Sequence, residues 1–497
     1  MDDLTASQLA AYNALLPFCT GLPADASARI LSGYAGTGKT VLACRLMAAA
    51  CKAGLKVAAC APTHKAVAVM TARIDPQWQA AIWTGTLHAL LGLRLKERED
   101  GSLQLELDRR PRGTYFDGYD IVFIDEASMV GPALLAHIAK ATRTGRPRIL
   151  YVGDPGQLPP VAIREPHTAP APSLWQDGSP RVPPVFVSAH TTHYLTEVVR
   201  QKSTGRPHPI IEFAQAIRRH IEGESDGLFD QEAIAAHVAA HAATLGNAVR
   251  LASARNLAAG VVQLRQRRPE KDVRAVAWRN RTIDACNRFI HDGLAGLYGH
   301  EAPPQGVTAP PFWAGETLVA RETLYTFEPD VDIATRNAQT WERALAPADS
   351  PDSLVTLIAN NSELVVEAAV LMPHPYLGTI SWRITATGSD GRPVQFFVPD
   401  DLRAHDQLVR RTWASYRASP DRVPEDFRRA WAVTRACAPV SHAYAVTAHK
   451  AQGSTFHYVL IDVADLCRII PVSGADEYHR ALYVAVTRAT ERVWLCC

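Results

Sequence analysis

The chain has 497 residues, more than one hydrophobic core usually holds, so we expect two or more domains. Hydrophobic residues make up 47% of the chain and charged residues 21%, which excludes the disordered and fibrous classes of protein. The formal net charge of +2 excludes a polybasic, histone-like protein, but it leaves room for a local basic groove.

The cysteines and the N-terminal residues indicate a cytoplasmic protein. The nine cysteines have no paired CxxC spacing, so we expect reduced thiols and no zinc site. The first residues, Met1–Leu4, lack the basic and apolar blocks of a signal peptide. The most apolar stretch, from Val41 to Ala61, is interrupted by basic residues, so it is too charged to span a membrane and we expect no membrane partner.

Short apolar runs alternate with helical patterns between Arg29 and Asp154, which is typical of a parallel α/β sheet. We predict buried strands at Arg29–Ser32, Leu55–Ala61, Asp120–Ile124 and Arg148–Val152. Between the second and third of these strands, two alternating arms flank Asp100-Gly101, a pattern that predicts a β-hairpin.

A second alternation of predicted strands and helices follows a Pro-rich segment, Pro159–Pro184. We interpret this segment as a long loop between the two halves of the chain. The predicted strands of this second alternation are Arg274–Trp278, Ala443–Thr447, Tyr458–Asp462 and Arg492–Leu495. The long gap between the first two of these strands contains alternating runs and then a helical pattern, so we predict a small β-rich insertion there.

These patterns predict three domains. The first α/β domain covers 1–190, with the hairpin inserted at about 92–108. The second combines 191–300 with 440–497, and the inserted β-rich domain with its trailing helical segment covers 301–439.

The segment Gly33–Thr40 reads GYAGTGKT, which fits the P-loop pattern GxxxxGK followed by Ser or Thr. It follows an apolar strand and opens a helical run, as a P-loop requires. Backbone amides of such a loop surround phosphate oxygens, Lys39 would reach the β and γ phosphates, and Thr40 would hold Mg²⁺. The sequence therefore predicts ATP and Mg²⁺ as cofactors, with ATP bound by Gly36, Thr37, Gly38, Lys39 and Thr40.

Two adjacent carboxylates, Asp125 and Glu126, follow the apolar strand Asp120–Ile124. Open α/β sheets place their ligands at the carboxyl ends of strands, so Asp125 suits the Mg²⁺ shell beside Thr40. Glu126 would then orient and deprotonate the water that attacks the γ phosphate. A surface helix cap is the alternative interpretation of the same pair.

Gln157 lies in the segment Gly153–Pro160, which ends the next predicted strand. There it could sense the γ phosphate and report its state to the nucleic-acid side. Taken alone, the segment is only a turn.

Taken in order, these motifs resemble those of superfamily 1 helicases, and the resemblance covers both halves of the chain. The residues within these motifs resemble the RecD-like and Dda-like branch, superfamily 1B, more than the UvrD-like branch. Further segments that resemble motifs of this family are Ala61–Ala66, Thr86–His88, Leu195–Gln201, Tyr444–Ser454 and Leu482–Ala489.

The resemblance implies an α/β fold of two RecA-like P-loop domains, with a β-hairpin pin inserted in the first and an SH3-like β insertion in the second. It also implies an ATP-dependent DNA helicase that travels 5′ to 3′ on single-stranded DNA and unwinds tailed duplex DNA. We expect it to work as a monomer in the cytosol of a bacterial or phage-infected cell. Replication, repair or recombination proteins are conceivable partners that the sequence does not identify.

The resemblance also assigns roles to residues outside the P-loop. Arg200 and Arg488 would reach the phosphates and complete a catalytic set with Lys39, Glu126 and Gln157. Either arginine could instead be a surface charge. Gln8 would read the adenine edge, but a plain helix cap explains its segment equally well.

Side chains at strand ends and loop starts would contact the nucleic-acid backbone without reading its sequence. Each of them could instead be a satisfied structural group. The predicted contacts are Thr63, His64, Thr86, His88, Thr447, His449 and Lys450.

Three questions stay open in the sequence. The hairpin Leu93–Leu107 has no aromatic wedge, so it is either a steric pin or a solvent-exposed decoration. Trp413 and Tyr416 fit a helix core better than a base-stacking site. An RNA-directed superfamily 1 helicase, or an ATP-driven switch that binds nucleic acid without unwinding, would carry the same motifs.

Overall fold

The structure is a computed structural model that describes residues 4–21, 27–97, 103–107, 115–142, 147–159, 182–188, 190–199, 208–300, 311–326, 355–388, 391–419 and 424–497. The chain divides into two compact units, Met1–Ile283 with Val446–Cys497, and Asp284–Ala445. The larger unit contains two parallel sheets, and the smaller one contains an antiparallel sheet with a helical pair.

The first sheet has six strands in the order β3-β2-β6-β7-β1-β8, and its neighbouring strands run parallel. A separate antiparallel pair, β4 and β5, forms the predicted hairpin. The strands are β1 (Ala28–Gly33), β2 (Val57–Ala61), β3 (Ile82–Thr86), β4 (Leu93–Glu97), β5 (Leu103–Leu107), β6 (Ile121–Ile124), β7 (Arg148–Gly153) and β8 (Thr192–Leu195). The helices are α1 (Ala6–Thr20), α2 (Lys39–Lys52), α3 (His64–Thr71), α4 (Pro76–Gln79), α5 (Leu87–Leu90) and α6 (Pro132–Ala141), with 3-10 turns at Tyr115–Gly118, Ala127–Met129 and Pro184–Val187.

The central strands β2, β6 and β7 are buried along their whole length, as the continuous apolar runs predict for a sheet covered on both faces. β6, β7 and β1 are neighbours in the sheet. Because neighbouring parallel strands end at the same edge, the P-loop, Asp125 and the segment after Gly153 meet there.

The second sheet has five strands in the order β18-β10-β19-β20-β9, with β10, β19, β20 and β9 paired in parallel. Its strands are β9 (Val249–Ala252), β10 (Val273–Ala277), β18 (Ala445–Thr447), β19 (Phe456–Asp462) and β20 (Ala489–Cys496). The helices before the insertion are α7 (Pro209–Ile221), α8 (Gln231–Ala240), α9 (Ala242–Leu245), α10 (Leu257–Arg267) and α11 (Asn280–Gly293), with 3-10 turns at Ala254–Asn256 and Ala295–Tyr298.

The smaller unit contains a five-stranded sheet in the order β16-β15-β14-β11-β17, with antiparallel pairing throughout, and the separate pair β12 and β13. Its strands are β11 (Thr317–Ala320), β12 (Leu324–Thr326), β13 (Val355–Ile358), β14 (Glu363–Pro373), β15 (Ile380–Gly388), β16 (Pro393–Pro399) and β17 (Val440–His442). The later helices of the chain are α12 (Leu402–Ala418), α13 (Pro424–Arg435), α14 (Ala448–Ala451), α15 (Val463–Leu466), α16 (Ile470–Ser473) and α17 (Ala475–Thr487), with a 3-10 turn at Cys467–Ile469.

The predicted β-rich insertion and its trailing helices are present, whereas its SH3-like character stays a prediction. Trp413 on α12 packs edge-on against Tyr416, Phe427 and Trp431, and its indole N–H donates to Thr434 Oγ1 at 2.9 Å. The two aromatic residues that we singled out therefore lie in the contact between α12 and α13.

A buried carboxylate, Glu316, organises the polar core of the smaller unit. It is 0% exposed, and it accepts hydrogen bonds from the Tyr444 hydroxyl at 2.6 Å and from the Trp313 backbone N–H at 2.8 Å. His291 Nδ1 lies 2.6 Å from the same carboxylate, and its ring stacks on Trp313. Burial alone would raise the pKa of Glu316, but the hydrogen bond from His291 and the electrostatic attraction of His442, whose Nε2 lies 3.6 Å from the carboxylate, outweigh it and lower the pKa to about 2.

One nitrogen of His291, one of His442 and an oxygen of Glu316 lie within 4.8 Å of one another, a spacing that a metal ion could bridge. His442 Nε2, however, lies 3.0 Å from the Pro311 carbonyl oxygen, so this nitrogen carries a proton in the structure. We therefore interpret the group as a hydrogen-bonded cluster.

Several sequence predictions fall outside the described residues. These are the hairpin turn at 98–102, most of the Pro-rich segment, and Arg200. Three predicted strands start too early, because β2 begins at Val57, β6 at Ile121 and β18 at Ala445. Within the described ranges, no helix is both long enough and apolar enough to cross a bilayer.

Candidate nucleotide site and nucleic-acid contacts

The P-loop connects β1 to α2, as its sequence context predicts. Gly38 has a φ of +81°, and a Cβ atom there would lie 2.6 Å from Gln8 Nε2, so only glycine fits this position. The Lys39 ammonium donates to the carbonyl oxygens of Gly33 at 2.7 Å and Tyr34 at 2.8 Å. Its charge therefore lies against the loop that would surround the phosphates.

Thr40 and Asp125 meet although 85 positions separate them in the chain. The Thr40 hydroxyl donates to Asp125 Oδ2 at 2.9 Å, and the Glu126 backbone N–H donates to Asp125 Oδ1 at 2.9 Å. Burial raises the pKa of Asp125, although these two hydrogen bonds oppose the shift. A hydroxyl oxygen and a carboxylate oxygen at one point form a donor set that Mg²⁺ accepts.

Glu126 has a backbone conformation that is unusual for a residue with a side chain. Its φ of 51° and ψ of 44° lie in the left-handed region, and only one other described non-glycine residue, Asn361, has a positive φ. Such outliers concentrate at functional sites. Burial and the charge of Asp125 raise the pKa of Glu126, whereas Arg488 and Lys39 lower it.

Arg488 follows α17 and is 2% exposed. Its guanidinium donates to the carbonyl oxygens of Val484 at 3.0 Å and Ser454 at 3.2 Å, and to Thr487 Oγ1 at 2.9 Å. Burial lowers the pKa of Arg488, and the charge of Glu126 opposes this shift. Arg488 therefore lies in the second α/β region, and its charge opposes the rise in the pKa of Glu126, which lies in the first.

Gln8 forms a helix cap as well as a contact with the P-loop. Its Oε1 accepts from the Thr5 backbone N–H at 3.0 Å, and the Thr5 hydroxyl accepts from the Gln8 N–H, which makes a capping box. Its Nε2 donates to the Thr37 carbonyl oxygen at 2.8 Å. The capping interpretation of this segment is therefore confirmed, and adenine reading by the same amide stays a prediction.

Gln157 is buried at 4% exposure after β7, and its side-chain Oε1 has no hydrogen-bond partner among the described residues. A buried amide oxygen without a partner is uncommon and calls for an explanation such as an absent ligand or water. Arg480 of α17 donates to the backbone carbonyl oxygens of Pro155 and Gln157. The segment is thereby bound to a helix of the second sheet.

The three predicted threonine contacts share one local structure. Thr63, Thr86 and Thr447 each end or follow a strand, and each caps the short helix that comes next. Their hydroxyls accept from the backbone N–H three residues later, at distances of 3.2, 3.2 and 3.3 Å. Each therefore has a structural role, and the hydroxyl proton is still free to be donated to a phosphate oxygen.

The three predicted histidine contacts share a lowered pKa. Burial is the main cause for His64, His88 and His449. At neutral pH these rings are uncharged and would act on a phosphate as hydrogen-bond donors, while Lys450 would supply the positive charge.

The sequence does not predict the cluster that Asp154, Arg218 and Tyr483 form, although Asp154 lies in the motif Gly153–Pro160 and Tyr483 in Leu482–Ala489. We call it the Asp154 cluster. The available signal was Arg218, which lies on the face of α7 that buries Ile210, Ala214, Ile217 and Ile221. An arginine on an apolar helix face indicates a buried partner.

Matches to family models cover both α/β regions of the chain. A model of the AAA domain matches residues 4–239, and a model of the UvrD-like helicase C-terminal domain matches residues 442–496. The two matched ranges contain every predicted site residue.

Two curated proteins and one solved structure illustrate the similarity. The ATP-dependent RecD2 DNA helicase of Deinococcus radiodurans is 31% identical over 205 residues, which are 41% of this chain and 23% of that protein. An uncharacterised protein of Acanthamoeba polyphaga mimivirus is 21% identical over 93% of this chain and 94% of its own length. The crystal structure of the Pif1 helicase from Candida albicans covers 100% of this chain and 94% of its own, at 16% identity and a TM-score of 0.49. The chain thus matches only about a quarter of the length of RecD2.

Proposed function

The chain belongs to the RecD-like branch of the superfamily 1 helicases, superfamily 1B, and from that membership we propose that it is an ATP-driven motor that translocates 5′ to 3′ along single-stranded DNA and unwinds duplex DNA. The polarity and the preference for DNA rest on the family resemblance alone.

One observation carries the proposal: the first sheet brings the P-loop, Asp125 and Glu126 to one edge, and the charge of Arg488, which follows helix α17 of the second α/β region, opposes the rise in the pKa of Glu126. A nucleotide at that edge would contact residues of both sheets. Its binding and loss would therefore change how the two sheets pack, which is the requirement for a motor that alternates between two states.

In the proposed reaction Glu126 orients a water and accepts its proton as the water attacks the γ phosphate. Lys39, Arg488 and Arg200 stabilise the negative charge that develops on the phosphates, and Gln157 senses the γ phosphate. Thr40 and Asp125 would hold Mg²⁺, which neutralises phosphate charge when it is bound. Gln8 would contact the adenine, and the amides of Gly36, Thr37 and Gly38 would surround the phosphates.

The nucleic acid would bind at the strand-to-helix junctions that Thr63, Thr86 and Thr447 cap. Contacts from hydroxyls, neutral imidazoles and Lys450 to the phosphate backbone do not read sequence, which suits translocation. We further propose that β4 and β5 act as a steric pin at the fork.

The test uses two partial duplexes, one with a 5′ single-stranded DNA tail and one with a 3′ tail, in the presence of ATP and Mg²⁺. We expect strand displacement from the 5′-tailed duplex only. Lys39→Ala should abolish displacement, because it removes the ammonium that would bind the phosphates. Lys52→Ala is the matched control, since Lys52 is an exposed lysine at the other end of α2.

Each other outcome has a definite meaning. Displacement from the 3′ tail would overturn the polarity, and stronger stimulation of the ATPase by an RNA strand of matched sequence would overturn the preference for DNA. DNA-stimulated ATP hydrolysis without any displacement would show an ATP-driven switch in place of a helicase.

A further inference from the structure

The Asp154 cluster joins three elements around one buried carboxylate. Arg218 of α7 donates to Asp154 Oδ1 at 2.6 Å, and the Tyr483 hydroxyl of α17 donates to Asp154 Oδ2 at 2.9 Å. The exposed fractions are 0% for Asp154, 6% for Arg218 and 2% for Tyr483. Groups of this polarity remain buried only when they are paired, so the three side chains fix one another's positions.

The same cluster touches the P-loop at two points. The Tyr483 hydroxyl accepts a hydrogen bond from the Ala35 backbone N–H at 3.1 Å. The Arg218 guanidinium lies 4.2 Å from the centroid of the Tyr34 ring, a cation–π distance. A helix of the second sheet is therefore tied directly to the loop that would surround the phosphates.

The charge states of the cluster are stable through neutral pH. Burial alone would raise the pKa of Asp154, but Arg218 and Lys39 outweigh it and hold the pKa below its usual range. Burial and the charge of Asp154 raise the pKa of Tyr483, so its hydroxyl keeps the proton that it donates. At neutral pH, Asp154 is therefore an anion and Tyr483 is a neutral hydrogen-bond donor.

Tyr483 lies near the C-terminal end of α17, five residues before Arg488, which caps that helix; the separation is roughly 7–8 Å along the axis at a rise of about 1.5 Å per residue. Arg488 is bound to the carbonyl oxygen of Val484 on the same helix. A shift of Tyr483 relative to Ala35 would therefore move Arg488 by a similar amount relative to the P-loop.

We propose that Tyr483, held by Asp154 and Arg218, is a positioning residue that sets Arg488 against the P-loop for ATP hydrolysis. This inference rests on the proposed function, because Arg488 acts only in a protein that hydrolyses ATP at this loop. Misplacement of a catalytic group by about 1 Å costs about 10²-fold in rate, so one hydroxyl can matter.

The test removes single oxygen atoms from α17. Tyr483→Phe deletes the hydroxyl that contacts Ala35 and Asp154. Tyr478→Phe is the matched control, because its hydroxyl is buried on the same helix and donates to the Phe229 carbonyl oxygen at 2.8 Å, in a contact that involves no P-loop residue. Both variants are measured for kcat and KM of ssDNA-stimulated ATP hydrolysis and for Tm.

We expect Tyr483→Phe to lower kcat about 10- to 100-fold with KM for ATP changed less than about threefold, and Tyr478→Phe to leave kcat within about twofold. The double variant Tyr483→Phe/Arg488→Ala should be no slower than Arg488→Ala, because the tyrosine acts through the arginine.

The outcomes separate this inference from the proposed function. A wild type without ssDNA-stimulated ATPase would overturn both. An active wild type with equal kcat in the two tyrosine variants would overturn the positioning role alone. Additive losses in the double variant would show that Tyr483 acts independently of Arg488, which also overturns it.

Discussion

Glu126 shows how one position can be prepared for chemistry by its surroundings. Its backbone lies in the left-handed region, and its half-buried side chain directly follows the buried Asp125. Both burial and the neighbouring charge favour the protonated form, so the pKa of Glu126 lies above its ordinary value. A base with a raised pKa binds a proton more readily, which helps the role that we propose for it.

This shift predicts the pH dependence of ATP hydrolysis. A raised pKa means that the carboxylate is lost at a higher pH, so the acidic limb of kcat/KM should lie above the ordinary glutamate value of about 4.3. Glu126→Gln should lower kcat by about 10² to 10⁴ and abolish this limb, while a fluorescent ATP analogue still binds. A wild-type limb at or below the ordinary value would contradict the assignment.

Residues within contiguous motifs were predictable from sequence, whereas the Asp154 cluster was not. Thr40 and Asp125 could be paired because a P-loop requires an acidic residue for Mg²⁺ at the same edge of the sheet, although β7 separates β6 from β1. Arg218 contacts Asp154, 64 positions away, and Tyr483, 265 positions away. No local spacing encodes such a contact, so only the folded chain reveals it.

At the level of elements, the strands of the two α/β sheets that the sequence does not predict are edge strands. β3 and β8 lie at opposite edges of the first sheet, and β9 lies at one edge of the second. β9 has two exposed residues out of four, so it lacks the continuous apolar run by which the central strands were recognised.

The helix-capping role of Thr86 can be separated by mutation from its predicted role in binding DNA. Thr86→Ala should lower stability by about 1 kcal/mol, because it removes the acceptor for the Ala89 N–H. Thr86→Asn should restore the cap and the Tm, because asparagine caps helices as well as threonine does. If the hydroxyl also contacts DNA, the asparagine variant binds ssDNA more weakly at wild-type Tm. Recovery of both properties would leave Thr86 with a purely structural role.

At the scale of the whole molecule, the smaller unit has its own source of acid sensitivity. The pKa of Glu316 is about 2 in the folded chain, below its unfolded value of about 4.3. A lowered pKa contributes stability that is present above the unfolded value and is lost as the pH falls toward the folded one.

We therefore expect Glu316→Gln to have a lower Tm than the wild type at pH 6, and this difference should narrow as the pH falls from about 4.3 toward 2. Glu322→Gln serves as the control, because Glu322 is an exposed residue of the same unit. A difference in Tm that is independent of pH would contradict an ionised Glu316. Thermal scans between pH 6 and pH 3 provide the measurement.

The strand order of the second sheet determines when that sheet can form on the ribosome. β10 lies between β18 and β19, and β9 pairs with β20. Of these three partners, β18 begins at the last residue of the unit Asp284–Ala445, and β19 and β20 are translated after that unit. About 180 residues separate β10 from β19, which corresponds to on the order of 10 to 40 s of translation. During that interval the nascent chain carries two strands with unpaired backbone edges, a known template for aggregation. We expect newly made chains to depend on chaperones until the C-terminal strands emerge.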